Sequence, residues 1–297
     1  MKHQPELIVD GGHELGEGVL WCEVSQSVFW TDIHAATLWN HHPASGVTRS
    51  WNMPERLATF AFTVDADRLL LGLASRLAFF NLKDGGIEAI ADVEEHLPTT
   101  RLNDGKCDRQ GRFVFGTLNE AADRAPIAGF YRLNHDLSVQ RLNLPGIAIS
   151  NSICFSPDGG TLYFCDTLVN RIMCVAYDSA SGDVGEPRLF ADLATQPGSP
   201  DGSCVDADGF VWNAQWGGAR VVRFAPDGSI DHIIELPVGQ PSCVAFGGTQ
   251  LDTLYIISAH EGMNPAQREI DPQAGGLFAV RLEETRTRGL AANRFGA

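Results

Sequence analysis

Six copies of one unit, each about 40 to 50 residues long, follow one another along this chain. Three copies align closely: SCVDADGFVWN from Ser203, ICFSPDGGTLYF from Ile153 and KCDRQGRFVF from Lys106. In each copy apolar and polar residues alternate, and Asp-Gly or Gly-Gly pairs separate the alternating runs, which indicates strands joined by hairpins. A unit of this length with up to four strands has the size of a β-propeller blade. The repeat therefore predicts an all-β, six-bladed β-propeller.

A short apolar run, Leu7 to Asp10, precedes the first copy of the unit. Such a run can serve as the outer strand of the last blade, so that the N-terminal strand closes the ring and removes an exposed sheet edge. No linker rich in Pro or Ser divides the chain. We therefore expect a single domain over residues 1–297.

Polar side chains recur at one position of the repeat, just before the first turn of each unit. The six equivalent positions are Glu17, Phe60, Asn103, Asn151, Asp201 and Pro241. In a propeller such positions converge on the central axis, where two carboxylates and two amides need a cation between them. Oxygen ligands of this kind favour Ca²⁺, Mg²⁺ or Mn²⁺, and water can complete the same set around zinc.

Asn and Asp also have a purely local use at these positions. Both residue types favour turns, and Asn-Asp-Gly and Pro-Asp-Gly are common hairpin sequences. Each position taken alone is therefore explained by turn formation. The recurrence of four such residues at one phase of the repeat favours a divalent metal site.

The charge balance limits the partners of this chain. Its 22 Lys and Arg against 37 Asp and Glu give a net charge of −15. Phosphate backbones and anionic membrane surfaces repel such a chain, so we expect neither nucleic-acid nor membrane binding. There is no run of about 18 apolar residues and no secretion signal pattern. The seven cysteines lie far apart without a Cys-x-x-Cys pair, which favours reduced thiols in a cytoplasmic protein.

Four stretches of the sequence resemble the signature stretches of the SMP-30/gluconolactonase/regucalcin family. They are LGEGVLW (15–21), RLNDGKCDRQGRFVFGT (101–117), NSICFSPDGGTLYFCDT (151–167) and PDGSCVDADGFVW (200–212). The resemblance covers nearly the whole chain in order. It implies a six-bladed propeller that holds one divalent metal ion and hydrolyses sugar lactones. Two departures are Asn151-Ser152, where the family often has Asn-Gly, and Gly18-Val19, where it often has Gly-Pro.

The same resemblance assigns roles to individual residues. It implies that Glu17, Asn151 and Asp201 are the metal ligands, and that Arg101, Asn103 and Glu120 contact the substrate. Lactone opening also needs a group that takes a proton from water, and our hypothesis gives this role to Asp201. The alternative is that Asp201 is only a ligand and a metal-bound hydroxide attacks without a base. The ion is Ca²⁺, Zn²⁺, Mg²⁺ or Mn²⁺, and the sequence does not choose among them.

Three functions compete at this point. The first is hydrolysis of an aldonolactone, such as L-arabinono-, galactono-, glucono- or xylonolactone, in its 1,4 or 1,5 form, with an aldarolactone as a variant. The second is hydrolysis of another ester on the same propeller, and the third is a non-enzymatic calcium-binding propeller. Nucleophilic serine and zincin chemistry lack their motifs. The stretch from Glu261 to Gly276 is either a lid over the channel or a plain connection, and the sequence carries no signal for the oligomeric state.

Overall fold

The computed structural model describes residues 4–282 and 286–296. Within them, the alternating runs of the sequence form 24 strands in six four-stranded antiparallel sheets. This arrangement confirms the predicted all-β class and the six blades of a β-propeller. The predicted single domain covers residues 1–297, of which 1–3, 283–285 and 297 lie outside the described residues.

The strands follow the repeat in chain order. A first strand, β1 (Glu6–Val9), precedes blade 1, which consists of β2 (Gly16–Cys22), β3 (Ser27–Asp32), β4 (Thr37–His42) and β5 (Val47–Asn52). Blade 2 consists of β6 (Leu57–Phe62), β7 (Arg68–Leu73), β8 (Arg76–Asn81) and β9 (Ile87–Asp92). Blade 3 consists of β10 (Thr100–Cys107), β11 (Phe113–Asn119), β12 (Phe130–Leu133) and β13 (Val139–Arg141).

The second half of the chain repeats this order. Blade 4 consists of β14 (Ser150–Phe155), β15 (Thr161–Asp166), β16 (Arg171–Ala176) and β17 (Arg188–Asp192), with a 3₁₀ turn at Thr167–Val169. Blade 5 consists of β18 (Ser199–Val205), β19 (Val211–Trp216), β20 (Arg220–Phe224) and β21 (Ile230–Glu235). Blade 6 contains β22 (Pro241–Gly247), β23 (Thr253–Ser258) and β24 (Leu277–Arg281), and helix α1 (Pro265–Ile270) lies between the last two.

The fourth strand of blade 6 comes from the start of the chain. β1 pairs antiparallel with β24, with Glu6 opposite Ala279 and Leu7 opposite Phe278. Because this pairing covers the outer edge of β24, the last blade has four strands like the others. The predicted use of the N-terminal strand in the last blade is confirmed.

The blades belong to two compact units. The first unit is Met1–Arg56 with Thr195–Ala291 and contains blades 1, 5 and 6. The second unit is Leu57–Ala194 with Ala292–Ala297 and contains blades 2, 3 and 4.

Buried aromatic and aliphatic side chains fill the space between neighbouring blades of each unit. In the first unit Trp212 packs between blades 5 and 6, and Trp21 and Trp30 pack between blades 6 and 1. In the second unit Phe115 lies between blades 2 and 3, and Phe130 lies between blades 3 and 4. The alternation seen in the sequence thus reflects strands whose alternate side chains enter these layers.

Two further expectations concern the thiols and the membrane. All seven cysteines lie within the described residues, carry no disulfide and are buried apart from the half-buried Cys204, as the wide spacing predicted. No helix in the described part of the chain has the length and apolar character needed to cross a bilayer.

Candidate functional site

The first strand of every blade interrupts its pairing with the second strand once. In blades 1 and 4 the register shifts directly after Glu17 and Asn151, and in blades 3 and 5 it shifts across Asn103 and Asp201. An extra residue at such a bulge leaves the ladder and turns its side chain away from the regular alternation. Asn103 and Asp201 therefore lie in the bulge of the first strand, and Glu17 and Asn151 are the last paired residues before it.

Blade 2 differs from the alignment made on the sequence. Its register shifts between Leu57 and Thr59, so Phe60 lies beyond the bulge and pairs regularly with Leu71. The equivalence of Phe60 with the polar positions was therefore wrong. The hairpin turn, on which the alignment was based, does not lie at a constant distance from the bulge in this blade.

In the second unit, Arg101 is the centre of a buried hydrogen-bonded chain. Its guanidinium donates from Nε to Glu120 Oε1 at 3.2 Å, and from Nη1 to Asn103 Oδ1 and to the carbonyl of Leu102, both at 2.8 Å. Arg101 is only 6% exposed, whereas the Glu120 side chain is 36% exposed. Because Arg101 is buried, these neighbours and not water stabilise its charge, so the pair with Glu120 is not an ordinary surface ion pair.

The row of hydrogen bonds continues from blade 3 to blade 4 through two side-chain amides. Asn103 Nδ2 donates to Asn151 Oδ1 at 3.1 Å and to the carbonyl of Ser150 at 2.7 Å. Asn151 Nδ2 in turn donates to the hydroxyl of Thr167 at 2.8 Å. The structure thus brings together Arg101, Asn103 and Asn151 with Glu120, although Arg101 and Asn151 lie 50 positions apart in the sequence. Their roles in binding stay predictions.

Two polar residues beside this chain were missed by the sequence analysis. Thr167 orients the Asn151 amide, because its hydroxyl accepts the hydrogen bond from Asn151 Nδ2. Asp104 accepts backbone hydrogen bonds from Gly105 and Ile153, both at 2.8 Å, and so links the first strands of blades 3 and 4. Burial of its carboxyl group raises the pKa of Asp104. The only sequence signal for Asp104 was its place next to Asn103, which a hairpin sequence explains equally well.

In blade 4 an aspartate fixes the backbone just before Asn151. Asp166, the last residue of β15, accepts hydrogen bonds from the backbone N–H groups of Ala148 at 2.8 Å and Ile149 at 3.2 Å. The next residue after Asn151 is Ser152, which is fully buried and has a φ of 61°. This left-handed conformation is uncommon for Ser and explains why Gly is suited to this position.

In the first unit, blade 1 uses the same arrangement around Glu17. Asp32, the last residue of β3, accepts hydrogen bonds from the backbone N–H groups of Glu14 at 3.0 Å and Leu15 at 3.2 Å. Gly18 follows Glu17 with a φ of 61°, and its N–H donates to Glu17 Oε2 at 3.0 Å.

The charge of Asp32 is strongly favoured in the folded protein. Burial on its own would raise the pKa of this carboxyl group, but contacts with His13 and with backbone N–H groups outweigh it and lower the pKa from 3.8 to about 2. We call the residues directly before the first strand of a blade its entering segment; in blade 1 these are Glu14 and Leu15. This segment is therefore held by an ionised carboxylate at neutral pH.

Asp201 lies in the bulge of β18 and is 5% exposed. Its backbone carbonyl accepts a hydrogen bond from Asn213 Nδ2 at 2.8 Å, and the same amide donates to the hydroxyl of Ser203 at 2.8 Å. The next residue, Gly202, allows close packing of blades 5 and 6, because a Cβ there would lie 2.6 Å from Cys243 Sγ and 2.9 Å from its Cα. The neighbours of Asp201 thus fix the backbone that carries its carboxylate.

The predicted metal ligands are two carboxylates, Glu17 and Asp201, and one amide, Asn151. Among residues 4–282 and 286–296, no group of three or more His, Cys, Asp and Glu side chains is arranged to hold a metal. The predicted ligand set contains only two residues of those types and is therefore not tested by this result. Its donors are all oxygen atoms, which hard divalent cations prefer.

Comparison with known proteins identifies the family. The model of the SMP-30/Gluconolactonase/LRE-like region matches residues 15–260. L-arabinolactonase of Azospirillum brasilense is 49% identical over 294 residues, which cover 98% of this chain and 95% of that protein. 6-Deoxy-6-sulfogluconolactonase of Pseudomonas putida is 33% identical and covers 95% and 96% of the two chains.

A solved structure with a similar percentage of identical residues shows the same fold. The crystal structure of a calcium-binding protein, regucalcin, from Agrobacterium tumefaciens superposes with a TM-score of 0.93 and 30% identity. The match covers 99% of this chain and 98% of that one. The chain therefore belongs to the SMP-30/gluconolactonase/LRE-like family and is an enzyme that hydrolyses lactone esters.

Proposed function

We propose that this enzyme hydrolyses an aldonolactone, with L-arabinonolactone as the first candidate, to the sugar acid. The observation that carries the proposal is the row of hydrogen bonds that links Glu120, Arg101, Asn103 and Asn151. Its guanidinium and amide groups are of the kind that would bind the hydroxyls of a sugar lactone. The 49% identical L-arabinolactonase of Azospirillum brasilense supports the choice of sugar. Galactono-, glucono- and xylonolactone are the neighbouring candidates, because they differ by single hydroxyls or one carbon.

Arg101 and Asn103 bind and orient the substrate in this proposal. The Arg101 guanidinium is held at Nε by Glu120 and at Nη1 by Asn103, so its plane is fixed before substrate arrives. Fixed donors near the lactone reduce the entropy that is lost when the reacting carbonyl is oriented. Glu120 is the most exposed member of the chain and is suited to accept a hydrogen bond from a sugar hydroxyl.

Glu17, Asn151 and Asp201 would hold one divalent cation. The donor set fits such an ion: two carboxylates supply negative charge, and Asn151 Oδ1 accepts one hydrogen bond from Asn103, which leaves a second lone pair. When bound, the ion acts as a Lewis acid that polarises the lactone carbonyl and favours ionisation of water. Calcium, magnesium, manganese and zinc are all compatible with this set.

Asp201 acts as the general base. Its carboxylate accepts one proton from the water that adds to the carbonyl carbon, and it returns this proton to the ring oxygen when the ester C–O bond breaks. The product is the open-chain hydroxy acid. The buried backbone around Asp201 supports this role, because Asn213 and Gly202 hold the carboxylate-bearing strand in one position.

A pH-indicator assay with a panel of aldono- and aldarolactones, with and without a chelator, tests the proposal. We expect L-arabinonolactone to be hydrolysed with the highest kcat/KM and chelation to abolish turnover. Asp201→Asn should lower kcat about 10³-fold, in the range of general acid–base effects, while elemental analysis still finds the metal. Asp208→Asn, at an exposed position of the following hairpin, is the control and should keep full activity.

Two results would contradict the proposal. Hydrolysis that continues unchanged after complete removal of metal would exclude the cation. Turnover by Asp201→Asn within about threefold of the parent enzyme would leave this residue as a ligand only.

A further inference from the structure

The loop that joins β11 to β12, residues 120–129, begins with Glu120, one end of the row of hydrogen bonds in the second unit. This loop consists of turns and one isolated bridge, between Ala128 and Ile147. The Glu120 side chain is 36% exposed, so burial does not fix the direction of its carboxylate. The backbone that carries Glu120 must therefore be held by other contacts if this carboxylate is to stay beside Arg101.

Asn119, the last residue of β11, binds this loop at two points with its side-chain amide. Its Oδ1 accepts hydrogen bonds from the hydroxyl of Thr99 at 2.7 Å and from the N–H of Ala121 at 3.0 Å. Its Nδ2 donates to the carbonyl of Ala125 at 3.0 Å. Asn119 is only 1% exposed, so its amide has to find its partners within the protein. One buried side chain thus connects the segment before β10 with the residues on either side of the first turn of the loop.

Backbone hydrogen bonds around Asn119 reinforce these contacts. The N–H of Glu120 donates to the carbonyl of Thr99 at 2.7 Å, and Arg124 Nη1 donates to the carbonyl of Asn119 at 2.7 Å. The N–H of Asn119 donates to the carbonyl of Ala148 at 2.9 Å. Thr99 and Ala148 belong to the entering segments of blades 3 and 4, which lead into β10 and β14. The start of the loop is therefore tied to the two strands that carry the rest of the row of hydrogen bonds.

Blades 1 and 4 have an aspartate where blade 3 has Asn119, at the end of the second strand. Asp32 and Asp166 each accept two backbone N–H groups of their entering segments. An ionised aspartate offers acceptors only, whereas an amide also has a donor, which here binds the carbonyl of Ala125. The amide in blade 3 therefore adds a hydrogen bond across the loop that follows it.

We propose that Asn119 is a positioning residue for lactone hydrolysis, which holds the backbone of Glu120 so that its carboxylate faces Arg101 and a hydroxyl of the substrate. The inference rests on the proposed function, in which Glu120 binds the sugar. Asn119 is buried and acts through Glu120, without touching the substrate. Because a carboxylate that is already in place costs less entropy on binding, its release should weaken substrate binding more than it slows bond breaking.

Steady-state kinetics with the aldonolactone that the parent enzyme hydrolyses at the highest kcat/KM tests this role. Asn119→Ala should raise KM about fivefold and leave kcat within about twofold. A merely structural defect would lower the amount of folded enzyme, and so the apparent kcat, without changing KM. Asn81→Ala is the matched control, because Asn81 also ends a strand and accepts at Oδ1 from the N–H two residues ahead, that of Lys83, at 2.8 Å. It should keep both constants.

Thr99 offers a second test at an exposed position, which holds even if Asn119→Ala does not fold. Thr99→Val removes the hydroxyl that donates to Asn119 Oδ1, and KM should rise about threefold. Thr99→Ser keeps the hydroxyl and should restore the KM of the parent enzyme. Equal effects of Thr99→Val and Thr99→Ser would show that the hydrogen bond to Asn119 is not what matters.

Amide hydrogen exchange of residues 118–128, followed by mass spectrometry without substrate, measures the loop itself. Exchange should be about tenfold faster in Asn119→Ala than in Asn81→Ala, because the N–H of Ala121 loses its acceptor and the loop opens more often. This measurement does not depend on hydrolysis. Unchanged exchange in both Asn119→Ala and Thr99→Val would overturn the inference.

A double variant separates the inference from the proposed function. If Asn119 acts through Glu120, Asn119→Ala combined with Glu120→Ala should have the same KM as Glu120→Ala alone, within about twofold. A raised KM in Glu120→Ala with fully additive effects in the double variant would overturn the inference and leave the proposed function in place. An unchanged KM in Glu120→Ala would overturn the proposed role of Glu120, and the inference with it.

Discussion

In blade 1 the candidate side chain is a carboxylate, Glu17, and in blade 4 it is an amide, Asn151. The backbone around both is the same: an aspartate at the end of the second strand, Asp32 or Asp166, accepts two N–H groups of the entering segment. A residue in the left-handed region then follows the candidate side chain in each blade.

The two side chains are held in different ways. Glu17 accepts a hydrogen bond from the N–H of its own neighbour, Gly18. Asn151 is fixed by other side chains, because Asn103 donates to its oxygen and its nitrogen donates to Thr167. A carboxylate presents two equivalent oxygens, whereas an amide must be turned so that its oxygen faces the ligand. One backbone frame thus serves both residues, and the side chains of Asn103 and Thr167 fix the orientation of the amide.

The largest effect is expected from breaking the frame of blade 1 with Asp32→Asn. The folded-state pKa of about 2 lies below the ordinary value of 3.8, so the charge should contribute about 2 kcal/mol to the free energy of unfolding at pH 7. Because the folded pKa is lowered, this contribution is present above about pH 4 and is lost as the pH falls towards 2. Urea unfolding of both proteins between pH 7 and pH 2 measures it.

Two further variants test whether the effect is specific to Asp32 and whether blade 4 behaves in the same way. Asp10→Asn, at an exposed position of the same unit, should change stability by less than about 0.5 kcal/mol. Asp166→Asn should destabilise the protein too if the frames are equivalent, since two backbone N–H groups lose a charged acceptor. A deficit of Asp32→Asn that stays constant down to pH 2 would point to packing and not to charge.

A smaller effect is expected from Thr167→Val, which tests the side-chain support that blade 4 needs. Without the hydroxyl, the Asn151 amide is no longer fixed in one orientation, so kcat/KM should fall about tenfold, which corresponds to about 1.4 kcal/mol. Thr167→Ser keeps the hydroxyl and should restore activity. Thr161→Val, in β15 of the same blade, is the control for the change of shape. Equal losses in Thr167→Val and Thr167→Ser would show that the hydroxyl does not position Asn151.

The smallest effect is expected from exchanging the residues in the left-handed region. Gly18→Ser should lower the free energy of unfolding by about 1 kcal/mol, because a side chain is strained at a φ of 61°. Ser152→Gly should change it by less than about 1 kcal/mol, since relief of this strain is offset by the greater freedom of Gly in the unfolded chain. Thermal and urea unfolding measure both. A neutral Gly18→Ser would mean that this conformation is equally accessible to both residues.

The fold could be predicted from the sequence because its signals are local and repeated. Alternation and Asp-Gly turns occur in each copy, so an error in one copy is corrected by the others. The bulge position in blade 2 shows the limit: Phe60 was aligned by its distance from a turn, but the register shifts between Leu57 and Thr59. A bulge depends on pairing between strands and leaves no fixed spacing in the sequence.

The candidate site was predictable only as a set of residues. The repeat selected Asn103 and Asn151, and the resemblance added Arg101 and Glu120, but neither indicated the hydrogen bonds that join them. Thr167 and Asp104 had no distinct signal, because a Thr after a strand and an Asp before Gly are ordinary turn residues. Their contacts to Asn151 and to Ile153 join different strands or blades, so only the folded chain creates them.

By itself, the sequence determined six blades, their closure by the N-terminal strand and the residues that occupy the innermost strands. These follow from hydrophobic alternation and turn chemistry, which act between residues close in the chain. Tertiary structure alone decided which groups touch: the hydrogen-bonded partners of Arg101, and the backbone N–H groups that Asp32 and Asp166 hold. Such contacts depend on bulges, on left-handed residues and on the packing of one blade against the next, and those are set by the whole fold.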